Sequence, residues 1–222
     1  MGQIILQPET TKNVFELMGR AAGYCYGSDI SNVEKNVKRG RECFKNKHDR
    51  TLEYPQIYVV FKDYSARVMR ELYTHIGGAP TRLQSSTRYI NYGNFNYVTP
   101  KAIEKDKDLK DEYDRAMNNI VLSYCELLSK GVSKEDLGNL LPLGMCTTVF
   151  FRTNARQVID MAHTRLCTRA LPEFQGLMHD FKSALAAYSP DWEEIVNITF
   201  RPKCEILGYC PEKNSCGRMP KK

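Results

Sequence analysis

The chain has 222 residues, of which 42% are hydrophobic, and it carries a formal net charge of +6. This length and apolar content suffice for one well-packed domain. The longest apolar run, Leu140 to Phe151, is interrupted by Pro142 and Gly144 and is far shorter than the roughly 20 residues that cross a bilayer. The first residues match neither a secretory signal nor a myristoylation motif, so the sequence predicts a cytoplasmic protein without a membrane span.

Much of the positive charge lies in a cluster of lysines and arginines between Lys35 and Arg50. The pattern is typical of a solvated helical face, and it is also compatible with a patch that attracts an anionic substrate or cofactor. The aromatic residues are dispersed and no nucleic-acid-binding motif is present, which argues against a polymeric nucleic acid as the partner.

Hydrophobic periodicity and turn residues predict helices and strands in mixed order. The predicted elements are a strand at Gln3–Leu6, helices at Thr10–Ala22 and Ile30–Phe44, a strand at Gln56–Phe61, a helix at Ser65–Thr74, extended segments at Arg88–Tyr92 and Asn96–Thr99, one long amphipathic helix at Lys101–Lys130, a buried strand at Cys146–Phe151, and helices at Asn154–Ala170 and Pro172–Tyr188. They predict an α+β fold with a central mixed sheet and flanking helices. Residues 1–190 form the predicted main domain and residues 191–222 a C-terminal tail.

The predicted helix after the buried strand carries an unusual set of polar side chains: Asn154, Arg156, Asp160 and Arg165. Polar groups in apolar surroundings require partners. On one helix, Asn154 and Arg165 share an azimuth at roughly 16 Å separation, so a flat ligand could lie between them. The alternative is structural: Asn154 caps the helix, Arg156 lies on the surface and Arg165 donates to a carbonyl.

A second polar block runs from Thr81 to Tyr89 and contains two arginines and four hydroxyl residues. Hydroxyl groups beside guanidinium groups suit a phosphate, because short donors bind its oxygens and the guanidinium adds charge and paired hydrogen bonds. Arg82, Ser86 and Arg88 are therefore candidate phosphate ligands.

Eight cysteines in a chain without a secretory signal argue against a disulfide scaffold. Three of them, Cys204, Cys210 and Cys216, recur in a turn-rich tail with five residues between successive cysteines. Thiolates in this setting suit a tetrahedral zinc ion, with Cys167 as the candidate fourth ligand. Free thiols or a disulfide are the alternatives.

Taken together, these motifs resemble those of the flavin-dependent thymidylate synthases. The resemblance covers roughly Thr10 to Met178. It is carried by Ser86-Thr87-Arg88-Tyr89, which matches the end of that family's long motif, by Leu141-Pro142, Thr148, Asn154-Ala155-Arg156 and Arg165 at matching spacing, by His48 with Leu52-Glu53, and by the stretch from Ala21 to Tyr26.

The resemblance implies a homotetrameric methyltransferase that binds FAD beside dUMP. It further implies that NADPH reduces the flavin, that methylenetetrahydrofolate donates a one-carbon unit, and that the product is dTMP. By position, the implied FAD-binding residues are His48, Asn154, Arg156 and Asp160, and the implied dUMP-binding residues are Ser86, Arg88 and Arg165. His75, which lies just outside the matching motif, is a further candidate for FAD, and Arg82 is a further candidate for dUMP. Arg165 is the implied catalytic residue, because its charge would stabilise a negative charge that develops on the pyrimidine carbonyl.

The sequence departs from the family pattern at several positions. Ile76-Gly77-Gly78 replaces an Arg-His-Arg triplet, Leu83-Gln84 replaces an Asn-Glu pair, Asp160 replaces an asparagine, and Gly138 lies where a phosphate-binding arginine is expected. Arg82 is a candidate replacement for that arginine. These departures leave two alternatives: a related flavoenzyme that acts on another pyrimidine nucleotide such as dCMP or transfers a hydroxymethyl group, and a non-catalytic binding protein with a zinc-bound tail.

Overall fold

The computed structural model describes residues 2–222, which form four strands, ten α-helices and two short 3-10 helices. The strands are β1 (Gln3–Leu6), β2 (Gln56–Ser65), β3 (Thr81–Gln84) and β4 (Cys146–Asn154). The α-helices are α1 (Val14–Cys25), α2 (Val33–Lys45), α3 (Ala66–Leu72), α4 (Lys101–Glu104), α5 (Lys107–Ser129), α6 (Lys134–Leu137), α7 (Ala155–Arg165), α8 (Pro172–Tyr188), α9 (Pro190–Thr199) and α10 (Lys203–Leu207). The 3-10 helices cover Asp49–Glu53 and Gly138–Leu140.

The strands form one sheet in the order β1-β2-β4-β3. Hydrogen bonds that flank the strands, from Gln7 N to the Tyr58 carbonyl and from Ser85 N to the Thr148 carbonyl, run between chain segments of opposite direction. The α+β class with flanking helices agrees with the prediction, whereas the sheet is antiparallel rather than mixed. A long connection permits either strand direction, so local patterns could not decide this point.

The chain divides into two compact units. Unit 1 comprises the residues up to Gln3, Phe61–Thr74 and Arg82–Phe150, and unit 2 comprises Ile4–Val60, His75–Thr81 and Phe151–Lys222. The long strands β2 and β4 contribute residues to both units. The main buried cluster of unit 1 consists of Tyr92, Phe95, Met117, Tyr124, Leu137 and Met145.

Two elements of unit 1 differ from the sequence prediction. The long amphipathic helix begins at Lys107 rather than Lys101, because Asp106 has extended backbone angles and its side chain accepts from the amides of Asp108 and Leu109 as an N-cap. The extended segment predicted at Arg88–Tyr92 is a turn, since the Ser86 hydroxyl accepts from the Arg88 amide. The strand lies earlier in the chain, at β3.

In unit 2, α1 and α2 pack closely because each carries a glycine at the contact. A Cβ atom at Gly19 would overlap the Asn36 carbonyl, and one at Gly40 would overlap the Phe15 carbonyl. The basic cluster contributes to this packing: Arg39 donates to the Gly19 carbonyl over 2.9 Å. The cluster is therefore not only a solvated face.

Helix α9 was not predicted from the sequence, and it belongs to unit 2. The Ser189 hydroxyl caps its first turn, and Trp192, Ile195 and Val196 are buried. Arg41 of α2 forms a 2.9 Å ion pair with Glu194 of this helix. Across residues 2–222, no helix combines the length and the apolar character that crossing a bilayer would require.

Candidate functional site

The amino-terminal end of α7 brings together three segments that are distant in sequence, all within unit 2. Asn154 ends β4, and its Oδ1 accepts from the Gln157 amide over 2.9 Å, so Asn154 is the N-cap of α7. In the first turn, Arg156 donates from Nη1 to Glu53 Oε1 over 2.5 Å. The segment around Leu52-Glu53 and the Asn-Ala-Arg motif are therefore in direct contact.

The third segment at this end of α7 is the turn that contains Gly77 and Gly78. A Cβ atom at Gly77 would overlap the Gln157 amide group, and one at Gly78 would overlap the Asn154 amide group. Gly78 also has a φ of +68°, which favours glycine. Glycine is thus favoured at position 78 by both backbone and packing, and a side chain at position 77 would require Gln157 to move.

At the other end of α7, Arg165 is held by two aromatic neighbours. Its Nε donates to His75 Nε2 over 2.9 Å, and its guanidinium carbon lies 4.8 Å from the centroid of the Phe174 ring. The His75 ring meets Phe174 edge-on at a centroid distance of 6.0 Å. Arg165 therefore has a histidine acceptor within the protein.

The acceptor role requires a neutral imidazole with its proton on Nδ1. Burial, together with the positive charge of Arg165, lowers the pKa of His75 to about 4. His75 is therefore neutral at physiological pH, and it fixes the orientation of the Arg165 guanidinium. Its contact with Arg165 gives it a partner within the protein in addition to the implied contact with FAD.

Asp160 lies on the exposed face of α7. Burial lowers the pKa of His163, and the carboxylate of Asp160 opposes this shift. The His163 ring contacts the Thr199 carbonyl at 3.1 Å. Asp160 thus has an electrostatic partner on its own helix, and nothing in these contacts assigns it to a flavin.

His48 lies at the start of the first 3-10 helix and lines a cavity of about 290 Å³ in unit 2. Ala22, Cys25 and Tyr26 at the end of α1 line the same cavity, as does Cys43 of α2. The structure thereby places His48 beside the Ala21-to-Tyr26 stretch. The aromatic faces of Tyr26 and His48 are suited to a planar ring system.

The phosphate candidates lie in unit 1. Ser86 forms the turn after β3, and Arg88 Nε is 3.1 Å from Glu135 Oε1 in an exposed ion pair. Arg82 is different, since its Nη1 atom is buried and has no hydrogen-bond partner among residues 2–222. Its guanidinium carbon lies 4.1 Å from the centroid of the Tyr73 ring.

Gly138, which lies where an arginine is expected, packs closely against Thr87. A Cβ atom at Gly138 would lie 3.2 Å from both the Cβ and the Oγ1 of Thr87. A long side chain cannot extend from this position unless Thr87 moves. The loop that carries Ser86 and Arg88 is therefore packed against the glycine.

The four predicted zinc ligands, Cys167, Cys204, Cys210 and Cys216, all line one cavity of about 200 Å³ in unit 2. All four are free thiols. However, within residues 2–222 no three His, Cys, Asp or Glu side chains form a group that could hold a metal ion. The thiols converge without forming a ligand set, so the zinc site stays a prediction.

Sequence reasoning missed three contributors to these contacts: Gln157, Phe174 and Tyr73. Gln157 had a detectable signal, since Asn154 followed three residues later by glutamine is a capping pattern. Phe174 and Tyr73 had none, because their contacts with Arg165 and Arg82 depend on tertiary structure.

Comparison with known proteins gives one consistent result. The sequence profile of the family described as "Thymidylate synthase complementing protein" matches residues 8–191. The flavin-dependent thymidylate synthase of Pyrococcus furiosus is 27% identical over 188 residues, which cover 83% of this chain and 75% of that protein. The flavin-dependent thymidylate synthase of Clostridium tetani is 25% identical, with 98% of this chain and 94% of that protein covered.

Solved structures show the same fold. Thymidylate synthase ThyX from Helicobacter pylori, complexed with FAD and dUMP, superimposes with a TM-score of 0.70 at 17% identity, covering 90% of this chain and 100% of that one. A UMP/dUMP methylase, PolB from Streptomyces cacaoi, bound with 5-Br dUMP, gives a TM-score of 0.71 at 15% identity and covers 89% and 95% of the two chains.

Proposed function

Since this chain belongs to the thymidylate synthase complementing protein family, whose profile matches residues 8–191, we propose that it is a flavin-dependent thymidylate synthase that converts dUMP to dTMP. The observation that carries the proposal is the meeting of three separate segments at the start of α7. Glu53 contacts Arg156. In the glycine turn, Gly77 packs against Gln157 and Gly78 packs against Asn154. Two of these segments, Leu52-Glu53 and Asn154-Ala155-Arg156, carry the family resemblance, and the glycine turn lies where the family pattern has an Arg-His-Arg triplet.

The described residues of unit 2 are suited to a flavin. His48 and Tyr26 border one cavity and offer aromatic faces. Gly77 and Gly78 are exposed residues of a glycine turn, the kind of segment whose backbone amides can bind an anionic group. We assign FAD contacts to His48, His75, Asn154, Arg156 and Asp160, with Asp160 the least supported by its contacts. When bound and reduced, FAD supplies the hydride that completes the methyl group.

Arg165 is the proposed catalytic residue. Its guanidinium binds the edge of the pyrimidine and stabilises the negative charge that develops on a ring carbonyl. His75 accepts from Arg165 Nε and Phe174 lies against the guanidinium, so the orientation of this charge is set by the protein. A fixed charge needs no reorganisation during the reaction.

In unit 1, Ser86, Arg88 and Arg82 are the proposed ligands of the dUMP phosphate. The buried and unpartnered Nη1 atom of Arg82 is a donor suited to an anionic oxygen. The finer assignments follow the family resemblance: methylenetetrahydrofolate as the one-carbon donor, NADPH as the reductant, and a cytoplasmic homotetramer as the working form.

The purified protein tests this proposal directly. We expect visible flavin absorption, or its appearance after reconstitution with FAD, and formation of dTMP from dUMP with NADPH and methylenetetrahydrofolate. The matched control omits the folate and should form no dTMP. A colourless protein that cannot be reconstituted with FAD would exclude the proposed function.

A second candidate is the same chemistry on a different pyrimidine nucleotide or with a different transferred group. The observation that favours it is the glycine at position 138, packed against Thr87, where an arginine is expected near the phosphate. PolB, which shares the fold, is a UMP/dUMP methylase. Parallel assays with dUMP, UMP and dCMP, analysed by product mass, distinguish methyl from hydroxymethyl transfer and rank the nucleotides. A methylated product from dUMP, with no product from UMP or dCMP, would exclude this candidate.

A further inference from the structure

Arg82 carries a feature that points to a ligand outside the protein. Its Nη1 atom is buried, yet no described residue accepts a hydrogen bond from it. Buried polar atoms in folded proteins nearly always have a partner, and a buried donor on a charged group is especially costly to leave unmet. An anionic oxygen is the partner that suits a guanidinium donor.

Tyr73 determines where this guanidinium lies. The Arg82 guanidinium carbon is 4.1 Å from the centroid of the Tyr73 ring, a distance typical of a cation–π contact. Stacking on the ring leaves the edge of the guanidinium, and therefore its N–H donors, available for hydrogen bonds. The ring thus holds the positive charge without using the donors.

Tyr73 is itself held by a chain of two hydrogen bonds. Its hydroxyl donates to Gln84 Oε1 over 2.5 Å, and Gln84 Nε2 donates to Thr147 Oγ1 over 3.2 Å. Gln84 and Thr147 lie on the neighbouring strands β3 and β4. The side chain of Tyr73 is therefore hydrogen-bonded to the sheet through Gln84.

The glycine at position 138 suggests why the stacked Arg82 guanidinium matters for substrate binding. Glycine has no side chain, so position 138 supplies no positive charge, and a Cβ atom there would lie 3.2 Å from two atoms of Thr87. The positive charge for an anionic substrate must come from another residue. Besides Arg88, which is paired with Glu135, unit 1 offers Arg82, whose buried Nη1 donor is unused.

We propose that Tyr73 is a positioning residue that presents Arg82 to the 5′-phosphate of the nucleotide substrate. The inference rests on the proposed function for the identity of the nucleotide. Gln84 supports Tyr73 through the hydroxyl group, and Tyr73 supports Arg82 through its ring. The three residues together replace the cationic side chain that Gly138 cannot provide.

The test compares dUMP with deoxyuridine, which lacks the phosphate, as ligands of the flavin-loaded protein. Arg82→Gln should weaken dUMP binding by about 10- to 100-fold, the effect of losing a charge-assisted contact. Tyr73→Leu should weaken it by about 5- to 10-fold, and Tyr73→Phe, which keeps the ring, by about 2-fold. Deoxyuridine affinity and FAD content should not change in any of them.

Tyr209→Leu is the matched control, because it removes another cation–π contact, with Lys222 at 5.3 Å in unit 2. It should leave both affinities unchanged. A double variant, Tyr73→Leu with Arg82→Gln, should bind dUMP no more weakly than Arg82→Gln alone, since both changes remove one contact. Additive losses in this cycle would mean that Tyr73 acts independently of Arg82.

Two results would overturn the inference: an unchanged dUMP affinity in Tyr73→Leu, or equal losses for dUMP and deoxyuridine. If Tyr73→Leu does not fold, the test relies on the dUMP affinities of Arg82→Gln and Tyr73→Phe. If Tyr73→Phe loses as much dUMP affinity as Arg82→Gln, the proposed role of the Tyr73 ring is wrong. If the wild-type protein binds no pyrimidine nucleotide, the proposed function fails. The inference is then judged with inorganic phosphate, whose affinity should fall in both the Tyr73→Leu and Arg82→Gln variants and not in the control.

Discussion

Arg165 illustrates how neighbours set the properties of one side chain. His75 accepts a hydrogen bond from its Nε, and the Phe174 ring lies against the guanidinium carbon at 4.8 Å. A guanidinium keeps its charge at any pH relevant to the protein. The neighbours therefore restrict its orientation, and orientation is what electrostatic stabilisation of a transition state requires.

Replacing Arg165 with alanine should remove turnover while the flavin remains bound. We expect a decrease in kcat of at least about 100-fold, the scale of losing one group that stabilises developing charge. Steady-state assays and the flavin spectrum measure the two effects. Arg20→Ala, which removes a half-exposed arginine paired with Glu16, is the matched control and should retain activity. Normal turnover of Arg165→Ala would contradict the assigned role.

His75 should make the protein sensitive to mild acid. Its folded-state pKa is lowered to about 4, whereas an unfolded histidine titrates near its ordinary value of 6.5. The unfolded chain therefore binds the extra proton first, so the stability associated with neutral His75 is complete above about pH 6.5 and is lost as the pH falls towards 4.

His75→Gln provides the comparison, because its amide oxygen can still accept from Arg165 and it does not titrate. Between pH 6.5 and pH 4 the wild type should lose about 2–4 °C more in Tm than the variant. This corresponds to about 1 kcal/mol for a chain of this size, a value reduced because His75 is only partly buried. Parallel thermal unfolding curves at several pH values measure the difference. Identical pH dependence in both proteins would show that His75 is not the titrating group.

At the level of secondary-structure elements, local patterns predicted the positions of several helices and strands. β1 and α8 have the predicted bounds, and β4 begins where predicted. Two of the differences have the same cause, which is a side chain that bonds to the nearby backbone. Asp106 delays the start of α5, and Ser86 turns the chain after β3. Periodicity alone does not reveal such competition.

The packing of the glycine turn against α7 predicts a sharp sensitivity to size. Gly78→Ala should destabilise the protein by about 1–3 kcal/mol, because alanine is strained at a φ of +68° and its Cβ would displace the Asn154 side chain that caps α7. Flavin content should fall as well. Chemical denaturation and the flavin spectrum measure these effects.

The matched control is Gly176→Ala in the middle of α8. A Cβ atom there would meet nothing within 4 Å, and the backbone is helical. This substitution should stabilise the protein by about 0.5–1 kcal/mol, since alanine is the better helix former. If both substitutions had the same sign, the packing argument at Gly78 would be wrong.

At the level of the whole molecule, the C-terminal tail has little apolar burial. Beyond Gly208 the side chains are exposed except those of Tyr209, Cys210 and Met219. The ion pairs that hold this region, Arg169–Glu212 at 3.5 Å and Arg218–Glu205 at 3.6 Å, are partly exposed and contribute little. A bound metal would supply the missing stability, because structural zinc binding is folding free energy.

If the tail binds zinc, the purified protein should contain about one zinc ion per chain, and Cys210→Ser should lose it together with several degrees of Tm. Cys125→Ser is the control, since Cys125 is an exposed thiol of unit 1. Metal analysis and thermal unfolding with and without a chelator provide the measurements. A wild-type protein that contains no zinc and whose Tm does not change with the chelator would contradict the zinc site, and the four cysteines would then be free thiols.

The sequence by itself determined the class of fold, the family and the identity of most candidate side chains, because capping residues, periodicity and motif spacing are local properties. Only the tertiary structure decided their partners. Arg165 and His75 are 90 residues apart and Arg156 and Glu53 are 103 apart, and no local spacing encodes such contacts. The same reason applies to Arg82: its charge is visible in the sequence, whereas its stacking on Tyr73 and its buried, unpartnered donor are visible only in the tertiary structure.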